Sequence, residues 1–204
     1  WVTESISYRS RWLCTFYKAL ITISFFDCEI KNISIIIIVF TANSEKATVQ
    51  IVDSDIESVA YEHNNEIIVI EKNKRYHIVV GEGNSKRDVY HYLKPGGPAP
   101  MMRLGITKHI GEGTWSSLPH DFELNTEPGF EEVFFYLLNG PNKKAIQRGK
   151  GVWYTNEPVD DSWLIEDRTF GTVPMGYHPV VGEPGVNVSY IWVYLCKKPE
   201  WEKI

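Results

Sequence analysis

Short apolar runs at close spacing, most of them closed by a turn-forming dipeptide, constrain this chain most. Ala19 to Phe40 is dominated by Ile, Thr and aromatic residues, which suit the pleated, half-buried surface of a strand. Ala47 to Val52, Ile56 to Tyr61, Glu66 to Glu71 and Tyr76 to Val80 are further strand candidates. Asn43-Ser44, Asp53-Ser54, Asn64-Asn65 and Asn73-Lys74 punctuate them, because short polar side chains bond nearby backbone and tolerate left-handed φ. Strands this short and this close predict a β-sandwich or barrel. Residues 1 to 18 show no clear period and stay unassigned.

Two polar breaks follow, at Gly81 to Lys86 and at Lys94-Pro-Gly-Gly-Pro-Ala-Pro100. They predict a boundary between an N-terminal β domain, residues 1–84, and a C-terminal barrel, residues 85–204. Asp88 to Leu93, Met102 to His109, Val133 to Leu138, Gly151 to Thr155, Asp161 to Ile165, Thr169 to Val173 and Val188 to Cys196 all read as strands. No segment after residue 84 sustains a helical period, and the halves align as no internal repeat.

A formal charge of −5 argues against a nucleic-acid surface, which needs a basic stripe. Lys143, Lys144, Arg148 and Lys150 come nearest to one and read as a solvated loop. Cys14, Cys28 and Cys196 have neither disulfide-framework nor zinc-knuckle spacing. They are expected to be small core residues in a reducing, cytosolic setting. The most apolar run, Ile35 to Phe40, is far shorter than the about 20 residues of a membrane helix. No secretory signal is read, and a start at Trp1 rather than Met is expected of an incomplete chain. Gly81-Glu-Gly-Asn and Gly111-Glu-Gly-Thr lack the full spacing of a nucleotide-binding fingerprint.

The chemistry-bearing residues of the second half sit beside strands. His120 follows Trp115-Ser-Ser-Leu-Pro, Glu131 and Glu132 precede Val-Phe-Phe-Tyr, and His178 lies in Val173-Pro-Met-Gly-Tyr-His-Pro-Val180. Barrel strands point alternate side chains inward, so two His and a Glu from neighbouring strands can meet in one mouth. That set suits Zn²⁺, Mn²⁺ or Fe²⁺ with positions left open for substrate. A hydrogen-bonded structural role for each His is the plainer alternative.

Five segments carry a family resemblance: Lys86-Arg-Asp-Val-Tyr-His91, Gly113-Thr-Trp-Ser-Ser117, Pro119-His120, Glu132-Val-Phe-Phe135 and Val173 to Val180. In order and approximate spacing they resemble the 5-deoxy-glucuronate isomerases of inositol catabolism (IolB type) and, more distantly, the 5-keto-4-deoxyuronate isomerases (KduI). The resemblance spans about residues 86–204. It implies an all-β cupin (double-stranded β-helix, jelly-roll) barrel, in a bicupin whose N-terminal half is reduced or divergent.

The resemblance further implies a metal held by three His and one Glu, the first two as a His-x-His pair after Trp-Ser-Ser. Carried over, His120 belongs to the pair, Glu132 is the carboxylate and His178 is the last ligand. Here Asp121 and Phe122 follow His120, so the pair is broken and His120 matches either member. The implied metal is Zn²⁺ or Mn²⁺, with Fe²⁺ as a further option. The implied reaction is aldose–ketose isomerisation of a small anionic sugar, a deoxy-uronate. Glu131 and Tyr177 are the candidates for the proton-transfer group, and Arg148 or Arg168 for the substrate carboxylate. No organic cofactor, nucleic acid or membrane partner is expected, and a homo-oligomer is left open. The broken pair keeps two other readings open: a non-catalytic barrel that binds a sugar or a partner, and a different metal-dependent cupin reaction.

Overall fold

The computed structural model describes residues 7–14, 22–30, 33–42, 44–116, 132–152, 157–173 and 177–196. The chain is all-β, as the strand pattern and the resemblance both imply. Among the described residues the only helical pieces are two short 3-10 turns, Lys72–Lys74 and Gly83–Ser85. No helix among them is long and apolar enough to cross a membrane, which says nothing of β-barrel membrane proteins. Two compact units form: residues 1–75 with 92–102 and 196–204, and residues 76–91 with 103–195.

The first unit carries β1 (Ser7–Cys14), β2 (Thr22–Ile30), β3 (Ile33–Ala42), β4 (Glu45–Val52), β5 (Asp55–His63) and β6 (Glu66–Glu71). They form one antiparallel sheet in chain order. Asp53-Ser54 and Asn64-Asn65 are two-residue connections with φ of 49°, 60°, 51° and 65°. Positive φ at both central residues is the type I′ geometry that matches the twist of paired strands. Ile36, Ile38 and Phe40 of β3 and Ala47, Val49 and Ile51 of β4 are buried, the alternation a sheet with one core face requires. A bulge shifts the register after Gln50, so that Ile56, Val59 and Tyr61 of β5 are all buried despite their mixed parity. The buried Glu45 is satisfied within this unit: its Oε1 accepts from Tyr61 Oη at 2.6 Å and lies 3.3 and 3.2 Å from the amides of Met101 and Met102.

The larger sheet, which lies in the second unit apart from Tyr92, Leu93 and Met102, holds β7 (Tyr76–Val80), β8 (Arg87–Leu93), β9 (Met102–His109), β10 (Glu132–Asn139), β13 (Phe170–Val173) and β15 (Asn187–Leu195). Its strand order is β13-β10-β15-β9-β8-β7. The central strands β10, β15 and β9 are buried on both faces over most of their length. A smaller sheet pairs β11 (Lys144–Val152) with β12 (Pro158–Glu166) on one side and β14 (Val180–Gly182) on the other.

Strand β11 corrects the sequence reading, which took Lys144, Arg148 and Lys150 for a solvated loop. Ala145, Gln147 and Gly149 are buried while Ile146 and Lys150 are exposed and Arg148 is half-exposed, so the charges fall on one outward face. Lys144 pairs in register with Glu166, and Lys150 with Asp160. Opposite charges directly across an antiparallel pair stabilise it. Of the expected strand Gly151 to Thr155, only Gly151 and Val152 lie among the described residues, at the end of β11.

Candidate functional site

Glu132 opens β10, paired in register with Tyr194 of β15 and Val173 of β13. Burial of Glu132, Phe134 and Tyr136 on one face of that strand follows from alternation. His178 sits on a segment tied to β11 at several points. Tyr177 and Lys150 exchange backbone hydrogen bonds of 3.1 and 2.7 Å, and the Arg148 amide donates to Pro179 O at 2.8 Å. Farther along, the Ser116 amide donates to Val180 O at 2.9 Å. These bonds carry the imidazole to the carboxylate: His178 Nε2 lies 2.9 Å from Glu132 Oε2, with the side chains 1% and 3% exposed. Burying a carboxylate is costly unless a charged or hydrogen-bonding partner comes with it, and the imidazole stands within ion-pair distance of it.

Aromatic rings wall the pair. Phe134 meets His178 edge-on at a centroid distance of 5.4 Å and stacks on Tyr190 at 4.5 Å. Trp192 stacks with Tyr194 at 5.9 Å and donates through Nε1 to Thr107 Oγ1 at 3.1 Å. Its ring fills the space where Gly105 would carry a Cβ, 2.3 Å from Cζ2. His91 meets the same indole edge-on at 5.2 Å. Burial pushes the hydroxyls of Tyr136 and Tyr190 above the usual phenol range, so both stay protonated.

Of the residues chosen from sequence, the structure brings Glu132 and His178 together. Tyr177 is half-buried next to His178. His120 and Glu131 lie outside the described residues, as do Asp121 and Phe122. Arg148 and Arg168 are not brought to the pair. Arg148 faces outward on β11, where its guanidinium meets Asp160 and donates to Asp161 O at 2.6 Å. Arg168 stands in the turn after β12 with a φ of 59°, its side chain 39% exposed.

Two buried residues escaped the sequence reading. Arg103 of β9 is 1% exposed and the largest fully buried side chain among the described residues. Gly105 faces Trp192, Trp192 pairs with Phe134, and alternation then puts Arg103 on the same sheet face as Glu132. The detectable signal was parity, a charged residue two positions before a glycine inside an apolar strand. Gln147 is the other, 4% exposed and bonded to Tyr136 and to the His178 carbonyl.

A catalytic divalent-metal site of the kind the resemblance implies takes about three protein donors. Glu132 and His178 fit as two, placed within reach of one ion. No group of three His, Cys, Asp or Glu side chains suited to a metal occurs among the described residues. Ser116, four residues before His120, is tied to Val180, two residues beyond His178.

The sequence matches the KduI/IolB family over residues 38–204. The chain belongs to this family. It is 30% identical over 126 residues to a 5-deoxy-glucuronate isomerase of Geobacillus kaustophilus, a match covering 60% of this chain and 44% of that one. A protein of the same name from Halalkalibacterium halodurans is 29% identical over 126 residues, covering 60% and 46%. The chain thus covers less than half the length of the curated relatives it matches. A solved IolB-like protein from Salmonella typhimurium superposes with a TM-score of 0.58 at 21% identity, over 82% of this chain and 65% of that one. The fold is therefore that of the IolB-like cupins.

Proposed function

We propose that the protein is a metal-dependent aldose–ketose isomerase acting on a deoxy-uronate, with 5-deoxy-glucuronate the first substrate to try. The observation that carries this reading is the buried contact of Glu132 Oε2 with His178 Nε2, 2.9 Å, at two positions matching the family's ligands. Family membership and relatives named as isomerases support it.

Glu132 and His178 would hold the metal, with His120 as third donor. The ion would polarise the substrate carbonyl and stabilise the enediolate. Glu132 and His178 are fixed by strand pairing and by ring packing, so they would change position little during a reaction. The buried aromatic wall would exclude water and strengthen electrostatic interactions in the site. Isomerisation moves a proton from the carbon next to the carbonyl onto the carbonyl carbon, and the proton of the neighbouring carbon's hydroxyl onto the former carbonyl oxygen, and needs no redox partner. Glu131 and Tyr177 are the proposed proton carriers, of which Tyr177 adjoins His178 in the chain. Arg103, buried on the sheet face of Glu132, replaces Arg148 and Arg168 as the proposed partner of the substrate carboxylate.

Metal analysis of the purified protein, followed by calorimetric titration with Mn²⁺ and Zn²⁺, tests the reading. Binding at one site that both Glu132→Ala and His178→Ala abolish is the expected result. A protein with no divalent-metal site would overturn it. The broken His-x-His pair and the two converging donors favour one second reading, a barrel that binds a sugar acid without turning it over.

A further inference from the structure

The strand that carries Glu132 also reaches His178 through two side chains. Tyr136 lies four residues along β10 from Glu132, on the same face. Its hydroxyl donates to Gln147 Oε1 at 2.9 Å. Gln147 Nε2 is within hydrogen-bond distance of three carbonyl oxygens: His178 at 2.6 Å, Pro179 at 3.1 Å and Arg148 at 2.9 Å. Tyr136 is 1% exposed and Gln147 4%. Gly171 of β13 makes room for the phenol, since a Cβ there would stand 2.7 Å from Tyr136 Oη.

The chemistry of this chain of contacts runs one way. A buried phenol that keeps its proton donates to Gln147, so the amide must present oxygen to Tyr136. The NH₂ group then faces the three carbonyls, and only a group with two hydrogens serves them. A carboxylate in its place would set oxygen against oxygen. The backbone of His178 is thereby tied to the strand that bears Glu132.

We propose that Gln147 is a positioning residue: with Tyr136 it sets the spacing of the His178 imidazole from the Glu132 carboxylate. Its effect on metal affinity rests on the isomerase reading above; its effect on the spacing does not. Residues that orient a metal ligand typically change affinity by about 10- to 100-fold when replaced.

The test compares Gln147→Leu and Tyr136→Phe with Tyr92→Phe, using Mn²⁺ calorimetry and crystal structures of the metal-free proteins. Tyr92 is the control because its hydroxyl donates to Ile56 O at 2.7 Å within the other unit. Gln147→Leu should lower Mn²⁺ affinity about 10-fold or more and move His178 away from Glu132. Tyr136→Phe should act in the same direction but less, and it carries the comparison if Gln147→Leu does not fold. Tyr92→Phe should melt at a lower temperature yet bind Mn²⁺ as the wild type does. Folded variants that keep both the wild-type spacing and the wild-type affinity overturn the proposal. If the wild type takes up no Mn²⁺, the isomerase reading fails, and the crystallographic spacing alone decides this one.

Discussion

The Trp192 indole occupies the place of a Cβ on Gly105. A methyl group there would stand 2.3 Å from Trp192 Cζ2 and 2.4 Å from the carbonyl oxygen of Tyr90. The indole can shift only by giving up its bond to Thr107 and its stack on Tyr194, and the backbone oxygen cannot easily shift at all. Gly105→Ala should therefore destabilise the protein by about 1–3 kcal/mol, the usual cost of overpacking a core. Urea unfolding measures it, and an unchanged midpoint would contradict the packing described.

His109 gives the fold a pH dependence. Burial pushes its pKa down to about 4; the Thr114 carbonyl opposes the shift and the positive charge of Arg87 adds to it. Its Nδ1 lies 3.1 Å from that carbonyl, and Nε2 has no hydrogen-bond partner among the described residues. The folded value is below the unfolded value of about 6.5, so between them the unfolded chain binds the extra proton. Stability from the neutral ring is thus full above about pH 6.5 and is lost as pH falls towards 4. The loss by pH 5 should be about 2 kcal/mol. His109→Gln should remove this part of the slope when urea unfolding is compared at pH 7 and pH 5. Identical slopes in both proteins would rule the assignment out.

The broken His-x-His pair predicts a gain of function. Phe122→His returns an imidazole two residues after His120, and Zn²⁺ and Mn²⁺ should bind more tightly in calorimetric titration. Equal or weaker binding would mean that His120 stands in the second place of the pair, or that the pocket has closed.

Much of this was legible in the sequence where local chemistry decides structure. Asp53-Ser54 and Asn64-Asn65 were readable as turns because short polar side chains tolerate the positive φ they adopt. Strands β6 and β7 follow from their runs of β-branched residues. Strand β1 was not legible, because Ser7–Cys14 alternates too weakly. Strand β11 was hidden for a different reason. Its Lys, Gln, Arg and Gly residues have little strand preference, and their charges are matched by Asp160 and Glu166 only after β12 pairs beside them.

The same distinction holds at the site. Glu132 and His178 were found through motifs, since spacing along the chain does not show that two strand ends meet. Arg148 was chosen for its charge, whereas its direction depends on the alternation of a strand not recognised in the sequence. Gln147 acts through a backbone carbonyl far along the chain, a contact that no local pattern records.

The Glu132–His178 pair is the proposed reacting centre of an isomerase. The most direct measurement incubates Mn²⁺-loaded protein with 5-deoxy-glucuronate and follows the sugar by NMR. The account predicts conversion of the aldehyde to the keto acid, abolished by Glu132→Ala and by His178→Ala. No conversion, in a preparation shown to hold its metal, would contradict it and leave the sugar-acid-binding barrel as the better reading.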